Sequence, residues 1–326
     1  MGRGGSGPPG PDGLVVVDKA TGWTSHDVVA KSRGLLGTRK VGHAGTLDPD
    51  ATGVLLLGVG RATKLLRYLS PLGKSYVGEV VLGVETSTLD AAGEVTAVHD
   101  MAAVTLADVS RVAATFVGEI EQVPPMVSAV KVGGRRLHQL AREGIEVERA
   151  PRPVTIHFLD IGPRRLDLPS DELGGESVAR ATDSPSTTHG LVFTMAVACS
   201  SGTYIRTLAA DIGAALGGGA HLRALRRTSV GPFTLADAVA LETVAAESVR
   251  PMVDAVRHLD AVSVDDALAA DVAVGKVLDR VAFGIGADTT GPWVVLGPST
   301  DLLAVYEPFR DGTVKPALVI PSAADR

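Results

Sequence analysis

Two short stretches near the start of the chain, 14–17 (Leu-Val-Val-Val) and 54–57 (Val-Leu-Leu-Leu), are apolar without interruption. Runs of this length predict strands. After the first, Thr24-Ser25 offers an N-cap to an amphipathic helix over 27–36, and a second helix is predicted over 62–69. Residues 76–82 alternate in part, as a strand does. Thr105 with Asp108 three places later resembles a capping box with Asp in place of Glu, opening a helix that runs to about Phe116. Residues 191–198 return to strand. Tyr204 then begins a helix to Leu216, ended by Gly217-Gly218-Gly219, and 222–230 predicts another strand.

Between these elements the pattern breaks in three places. Residues 1–11 are dominated by Gly and Pro and predict a disordered tail. Residues 123–153 are rich in Pro, Gly and Arg, hold one helix at 136–142, and predict an excursion from the core. Residues 166–189, poor in apolar side chains, predict a flexible insertion. Strands mixed with separate helices, without strict βαβ alternation, point to an α+β fold with a mostly antiparallel mixed sheet. From about Pro251 the chain shows short strands near 294–295, 302–306 and 317–320. This divides it into one domain over 12–250 and a small β-rich domain over 251–326.

The 326 residues are 45% apolar, enough for a substantial core. No run of about 18 uncharged apolar residues occurs, which predicts neither membrane spanning nor export and places the protein in the cytoplasm. The single cysteine, Cys199, lies in an apolar run and predicts a buried strand thiol. A net charge of −6 argues at first against a nucleic-acid partner. Its distribution argues the other way. Lys31, Arg33, Arg39, Lys40, Arg61, Lys64 and Arg67 face only Asp48 and Asp50 over the same stretch, while acidic residues gather after Pro232.

The densest chemistry lies in Gly42-His43-Ala44-Gly45-Thr46-Leu47-Asp48-Pro49-Asp50-Ala51-Thr52-Gly53, a glycine-rich loop between a helix and an apolar strand. Pro49 restricts Asp48 to extended or turn geometry and so gives its carboxylate a set direction. Taken alone, Asp-Pro in a loop is an Asx-turn. The spacing is not that of a P-loop, and Gly58-Val59-Gly60 lacks the third glycine of a dinucleotide site. No second His stands four residues from His43 and no Cys is near, so neither a metal nor an organic cofactor is expected.

This segment resembles the catalytic motif of the TruB family of bacterial tRNA pseudouridine synthases, which modify uridine 55 in the T-loop. Matches continue in order through Asp18-Lys19, Lys74-Ser75-Tyr76, the run from Pro124 to Lys131, Ala141 to Ile145, Ser201 to Arg206, and Leu225-Arg226-Arg227. They cover about residues 12–235. The resemblance implies the pseudouridine-synthase fold with a PUA-like C-terminal domain, no cofactor, tRNA as partner through its T-arm, and no obligate protein partner.

The resemblance also implies roles. Asp48 is the nucleophile, held and kept ionised by a bidentate Arg206, whose charge would lower the carboxyl pKa. Tyr76 stacks on the flipped base, Tyr204 and Leu225 line the uracil pocket, and His43 helps displace the target nucleotide. Lys19, Lys64, Lys131 and Arg142 are expected near RNA phosphates, and 123–153 resembles the family's thumb, which closes on RNA. Attack at C1', attack at C6 and action as a base all use the same Asp48. Where the family often has Pro after the lysine at 19, this chain has Ala20. A protein that only folds RNA would not need Asp48, Tyr76 and Arg206 together.

Overall fold

The computed structural model describes residues 10–128, 131–163, 190–286 and 288–321, except the side chains of Lys131, Arg136, His138, Ala141 and Arg142. The insertion expected over 166–189 and residues 1–9 of the tail expected over 1–11 lie outside these residues.

The larger sheet has ten strands. They are β1 (Gly13–Lys19), β2 (Val41–Ala44), β3 (Thr52–Val59), β4 (Lys74–Leu82), β5 (Gly118–Gln122), β6 (Arg152–Pro163), β7 (Val192–Cys199), β8 (Ala220–Val230), β9 (Phe233–Thr234) and β10 (Val239–Ala240). The main path runs β10-β1-β3-β8-β4-β7-β6-β5, with β2 also on β3 and β9 on β8. All pairs are antiparallel except β1 with β10 and β3 with β8. This is the mostly antiparallel mixed sheet that the pattern predicts.

The uninterrupted apolar runs have a direct cause. Leu14, Val16, Val54 and Leu56 enter one core, while Val15, Val17, Leu55 and Leu57 enter another on the opposite face. Both faces of β1 and β3 are covered, so alternation vanishes. Helix α1 (Ser25–Leu35) supplies Val28 and Val29 to the second core and begins with the capping box of Thr24 and Asp27. Helix α2 (Leu106–Ala113) carries the same device in Thr105 and Asp108, and a short 3-10 turn extends it to Phe116. A third core gathers Tyr76, Val80, Met195 and Leu222 of the sheet under Val109 of α2 and Leu208 and Ile212 of the helix Ile205–Ala215.

Some expectations change in detail. The helix expected over 62–69 is a 3-10 helix, Gly60–Leu65, followed by one α-turn, Leu66–Leu69. Its start is tightened by Asp12, whose carboxylate takes the Arg61 backbone N–H and the Arg61 Nε. The long β6 was not read from the sequence, because it begins inside the stretch taken as an excursion. The excursion itself holds the helix α3 (Leu137–Arg142).

Beyond Pro251 a second sheet of five strands forms, with a helix, Asp266–Ala273, that the strand pattern did not predict. Asp265 caps it by accepting from the Leu268 N–H at 2.8 Å. Val294, Leu302, Val305 and Ile320 of this region share a core with Leu14, Leu56 and Leu69. Among the described residues, no helix is long and apolar enough to cross a membrane.

One position fixes how the two parallel neighbours β3 and β8 approach. Gly53 has φ +102°, and a Cβ there would stand 2.1 Å from the Arg227 carbonyl oxygen. The obstacle is backbone and cannot swing away. Gly53→Ala is expected to cost about 3 kcal/mol or more of stability. Urea unfolding checks this; an unchanged midpoint would mean that the crossing relaxes freely.

Candidate active site

The loop from Gly45 to Ala51 lies where β3 changes partner, from β8 at Thr52 and Gly53 to β2 at Leu56 to Val59. Its peptide groups are tied down one by one. Arg227, 1% exposed, donates from Nε to the Val54 carbonyl at 2.7 Å and from Nη2 to the Gly45 carbonyl at 3.0 Å. Its Nη1 reaches the Thr46 carbonyl at 3.4 Å. The buried Ser25 hydroxyl accepts from the Leu47 N–H at 2.9 Å and donates to the Leu47 carbonyl at 3.2 Å. The Pro49 carbonyl accepts from the Gly22 N–H and from Lys19 Nζ. Leu47 and Ala51 are buried, so Asp48 is held between two apolar anchors.

From this loop the Asp48 carboxylate meets Arg206, with Arg206 Nε 3.1 Å from Asp48 Oδ2. The arginine is the second residue of the helix α4 (Ile205–Ala215) and is itself buried. The contact is not bidentate as expected. Nη1 donates to the Thr88 carbonyl at 3.0 Å and to Asp90 Oδ2 at 3.1 Å, and Nη2 donates to the Val127 carbonyl at 2.9 Å. Nε is the nitrogen that meets Asp48.

The direction of the Asp48 pKa is also opposite to that expected. Burial pushes the carboxyl above its ordinary value, Arg206 and Lys19 oppose the rise, and Asp90 and Asp50 add to it. The attraction of Arg206 acts as foreseen, but dehydration outweighs it. The side chain stays 46% exposed, open on the side from which a substrate could reach it.

Tyr76, on β4, is buried beside this group. Burial raises its hydroxyl pKa, with the Arg227 guanidinium opposing. Gly78, two residues on, leaves room for Leu222 of β8, since a Cβ at Gly78 would stand 2.9 Å from Leu222 Cδ1, while Leu225 Cδ1 lies at an ordinary contact distance of 3.5 Å. Tyr204 is the N-cap of α4, its backbone bridged by the Gln122 side chain. His43, on β2, meets the ring of His26 edge-on at 5.3 Å. Burial, then the charges of His26 and Arg227, lower its pKa to about 4, so the ring is neutral near pH 7.

Lys64 is exposed on the 3-10 helix. The side chains of Lys131 and Arg142 lie outside the described residues. Lys19 overturns its expected role. It is fully buried, and Nζ donates to the carbonyls of Ala20, Trp23 and Pro49 at 2.8–2.9 Å. Its donors are turned inward, so no phosphate can reach them. Burial lowers its pKa to about 8, against the pull of Asp50 and Asp48.

Asp90, Arg227 and Gln122 were not singled out from the sequence as site residues. Asp90 forms a turn, its Oδ1 accepting from the Ala92 N–H at 3.1 Å. The turn also holds Leu89 at φ +63°, its carbonyl accepting from the Leu222 N–H of β8 while the Ala91 N–H donates to the Leu222 carbonyl. The second oxygen of Asp90 is what enters the site. Arg227 was quoted only within a motif, and its neighbour Arg226 faces the other way, 2.6 Å from Asp18.

The site thus defines a class: an enzyme working with one arginine-held carboxylate beside a buried aromatic wall. Comparison with known proteins gives the class its name. The model for the TruB family pseudouridylate synthase N-terminal domain matches residues 33–205. That for the tRNA pseudouridylate synthase B C-terminal domain matches 206–263. A tRNA pseudouridine synthase B of Arthrobacter sp. (strain FB24) is 45% identical over 94% of this chain and 96% of its own length. One of Geobacillus thermodenitrificans (strain NG80-2) is 42% identical over 94% and 99%. A chain in a solved structure titled "Crystal Structure of a Cbf5-Nop10-Gar1 Complex" matches with a TM-score of 0.69 at 25% identity, over 98% of this chain and 92% of that one. The chain belongs to the TruB family and is a pseudouridylate synthase, an isomerase.

The position of Lys19 generates a test. Lys19→Met removes the ammonium donor from three carbonyls, of which Pro49 keeps the Gly22 N–H, and is expected to cost about 3 kcal/mol of stability. The slope of log affinity for RNA against log salt should stay as in the wild type, whereas loss of a phosphate contact would reduce it by about 1.

Proposed function

We propose that this enzyme converts the T-loop uridine of tRNA, position 55, to pseudouridine, with Asp48 as nucleophile on a flipped-out base. The observation that carries the reading is the Asp48–Arg206 contact at 3.1 Å next to the buried Tyr76. The names of the relatives support tRNA as the substrate.

The reaction is an isomerisation. The bond from ribose C1' to uracil N1 breaks, a bond from C1' to C5 forms, and the proton at C5 is lost while N1 gains one. No atom is added, so the enzyme needs a group that attacks, a pocket that retains the detached base, and a means of turning it. Asp48 supplies the first, oriented by Arg206 through Nε. Tyr76, Tyr204 and Leu225 supply the second by covering the faces of the uracil, and Tyr76 helps to remove the C5 proton. Neutral His43 occupies the place that the target nucleotide vacates.

Lys64, Lys131 and Arg142 contact phosphates and set the register of the RNA. Residues 123–153 act as a thumb over it, and 251–326 form a PUA-like domain packed on the catalytic domain of 12–250. The protein works as a cytoplasmic monomer.

The test uses an unmodified tRNA transcript and one with the T-loop uridine replaced. Wild type should form pseudouridine at that position without added metal. Asp48→Asn should lower the single-turnover rate by about 10^4-fold or more while RNA binding persists. Tight binding without product from the wild type would overturn the proposal and leave a protein that only remodels RNA. The acid side of the kcat/KM profile provides a second check. A nucleophile must be ionised, and the raised pKa of Asp48 keeps its proton to higher pH. Activity is therefore expected to fall off, as pH drops, before the ordinary carboxylate range is reached.

A further inference from the structure

We infer that Gln122 is a positioning residue for Arg206, joining the root of the 123–151 segment to the helix that carries the arginine. The inference rests on the proposed role of Asp48. Gln122 ends β5, where it pairs with Arg152 at the start of β6. The chain leaves the sheet immediately after the first and re-enters it at the second, so this pair is the root of the whole excursion.

The Gln122 side chain is 1% exposed and faces the backbone of Tyr204. Its Oε1 accepts from the Tyr204 N–H at 2.9 Å, and its Nε2 donates to the Tyr204 carbonyl at 3.2 Å. A side-chain amide thus does what a paired strand would do. Tyr204 needs that support, because it is an N-cap with no side-chain capping bond, and its carbonyl also accepts the helical bond from the Leu208 N–H. Arg206 stands two residues further on. The reciprocal pair of Thr155 on β6 with Ser200, at 2.9 and 2.8 Å, clamps the same two regions a second time.

Five residues beyond Gln122, the excursion returns to the arginine, with the Val127 carbonyl accepting from Arg206 Nη2 at 2.9 Å. Movement of the root therefore shifts both the backbone beneath Arg206 and one of the oxygens that orient its guanidinium plane. The remaining contacts, Nη1 on Thr88 and Asp90 and Nε on Asp48, depend on that plane. The position of the excursion is in this way transmitted to the reacting carboxylate.

Two variants test this. Gln122→Leu removes both hydrogen bonds at similar volume, and Gln122→Glu keeps the acceptor and loses the donor. With full-length protein and tRNA transcript, kcat should fall about 10- to 100-fold, the order expected of a misplacement near 1 Å, with Kd within about threefold of wild type. The acid limb of kcat/KM should move to higher pH, because a displaced Arg206 no longer offsets the effects of burial, Asp90 and Asp50 on Asp48, and Lys19 remains alone in opposing them. The Nε–H resonance of Arg206, assigned through Arg206→Lys in 15N-labelled protein, should shift in both variants.

An unmoved resonance and acid limb, or a loss of RNA affinity alone, would overturn the inference. If Gln122→Leu fails to fold, Gln122→Glu decides by the same two readouts. Wild type that forms no pseudouridine would refute the proposed function instead, and the resonance would still report whether Gln122 holds Arg206.

Discussion

Asp48 is presented from a loop, and a loop that splits two strands of a buried sheet has to find partners for its own peptide groups. Here the difficulty concentrates at β3, whose partner changes from β8 to β2 within a few residues. Val54 falls in the gap, and the Arg227 guanidinium fills it, taking the stranded carbonyl together with those of Gly45 and Thr46. Lys19 does the same on the other side of Asp48 through Pro49, and Ser25 does it for Leu47. Three buried side chains thereby replace the strand that is missing. Glycine at 53 follows from the same constraint, since β3 and β8 must come close enough for Arg227 to reach across.

Asp48 is poised between two opposing effects. Dehydration favours the protonated carboxyl, and the nearby carboxylates of Asp90 and Asp50 push the same way, while Arg206 and Lys19 favour the charged form. A carboxylate matched to arginine alone would be strongly stabilised and correspondingly less reactive. By dividing its hydrogen bonds among Asp48, Asp90, Thr88 and Val127, Arg206 orients the carboxylate without neutralising it fully. Asp90 competes for the same cation, so removing it would alter both the charge balance and the geometry.

What could be read from the sequence was what depends on near neighbours. The N-cap at Thr24 and the capping box of Thr105 with Asp108 act over three residues each, and the runs 14–17 and 54–57 announce strands. The Asp48–Arg206 pair was reachable only through an ordered set of motifs, since 158 positions separate them. Asp90 escaped because its turn-forming oxygen accounts for it locally, while its second oxygen acts over 116 positions. Lys19 was misjudged for a different reason. Residue type assigns lysine to the surface, and only the fold reveals three carbonyls converging on one ammonium group. The sign of the Asp48 shift was missed because burial is a property of the whole packing, whereas an arginine partner can be named from a motif.

The same distinction between total and placement governs the net charge. A chain of charge −6 is a poor candidate for binding a polyanion if charge is counted without position. In the structure four acidic groups of the later part are engaged internally: Asp237 with Arg250 and Arg257, Asp271 with Lys276, Glu307 with Lys315, and Asp265 as a helix cap. Lys31, Arg33, Arg39, Lys40, Lys64 and Arg67, by contrast, are exposed and flank the His43–Asp48 segment in the sequence. Screening limits each charge to roughly 8 Å at physiological salt, so a phosphate near one of these side chains responds to the local cations and little to distant acids. The placement of the charges, more than their total, therefore decides what potential a ligand meets at each part of the surface.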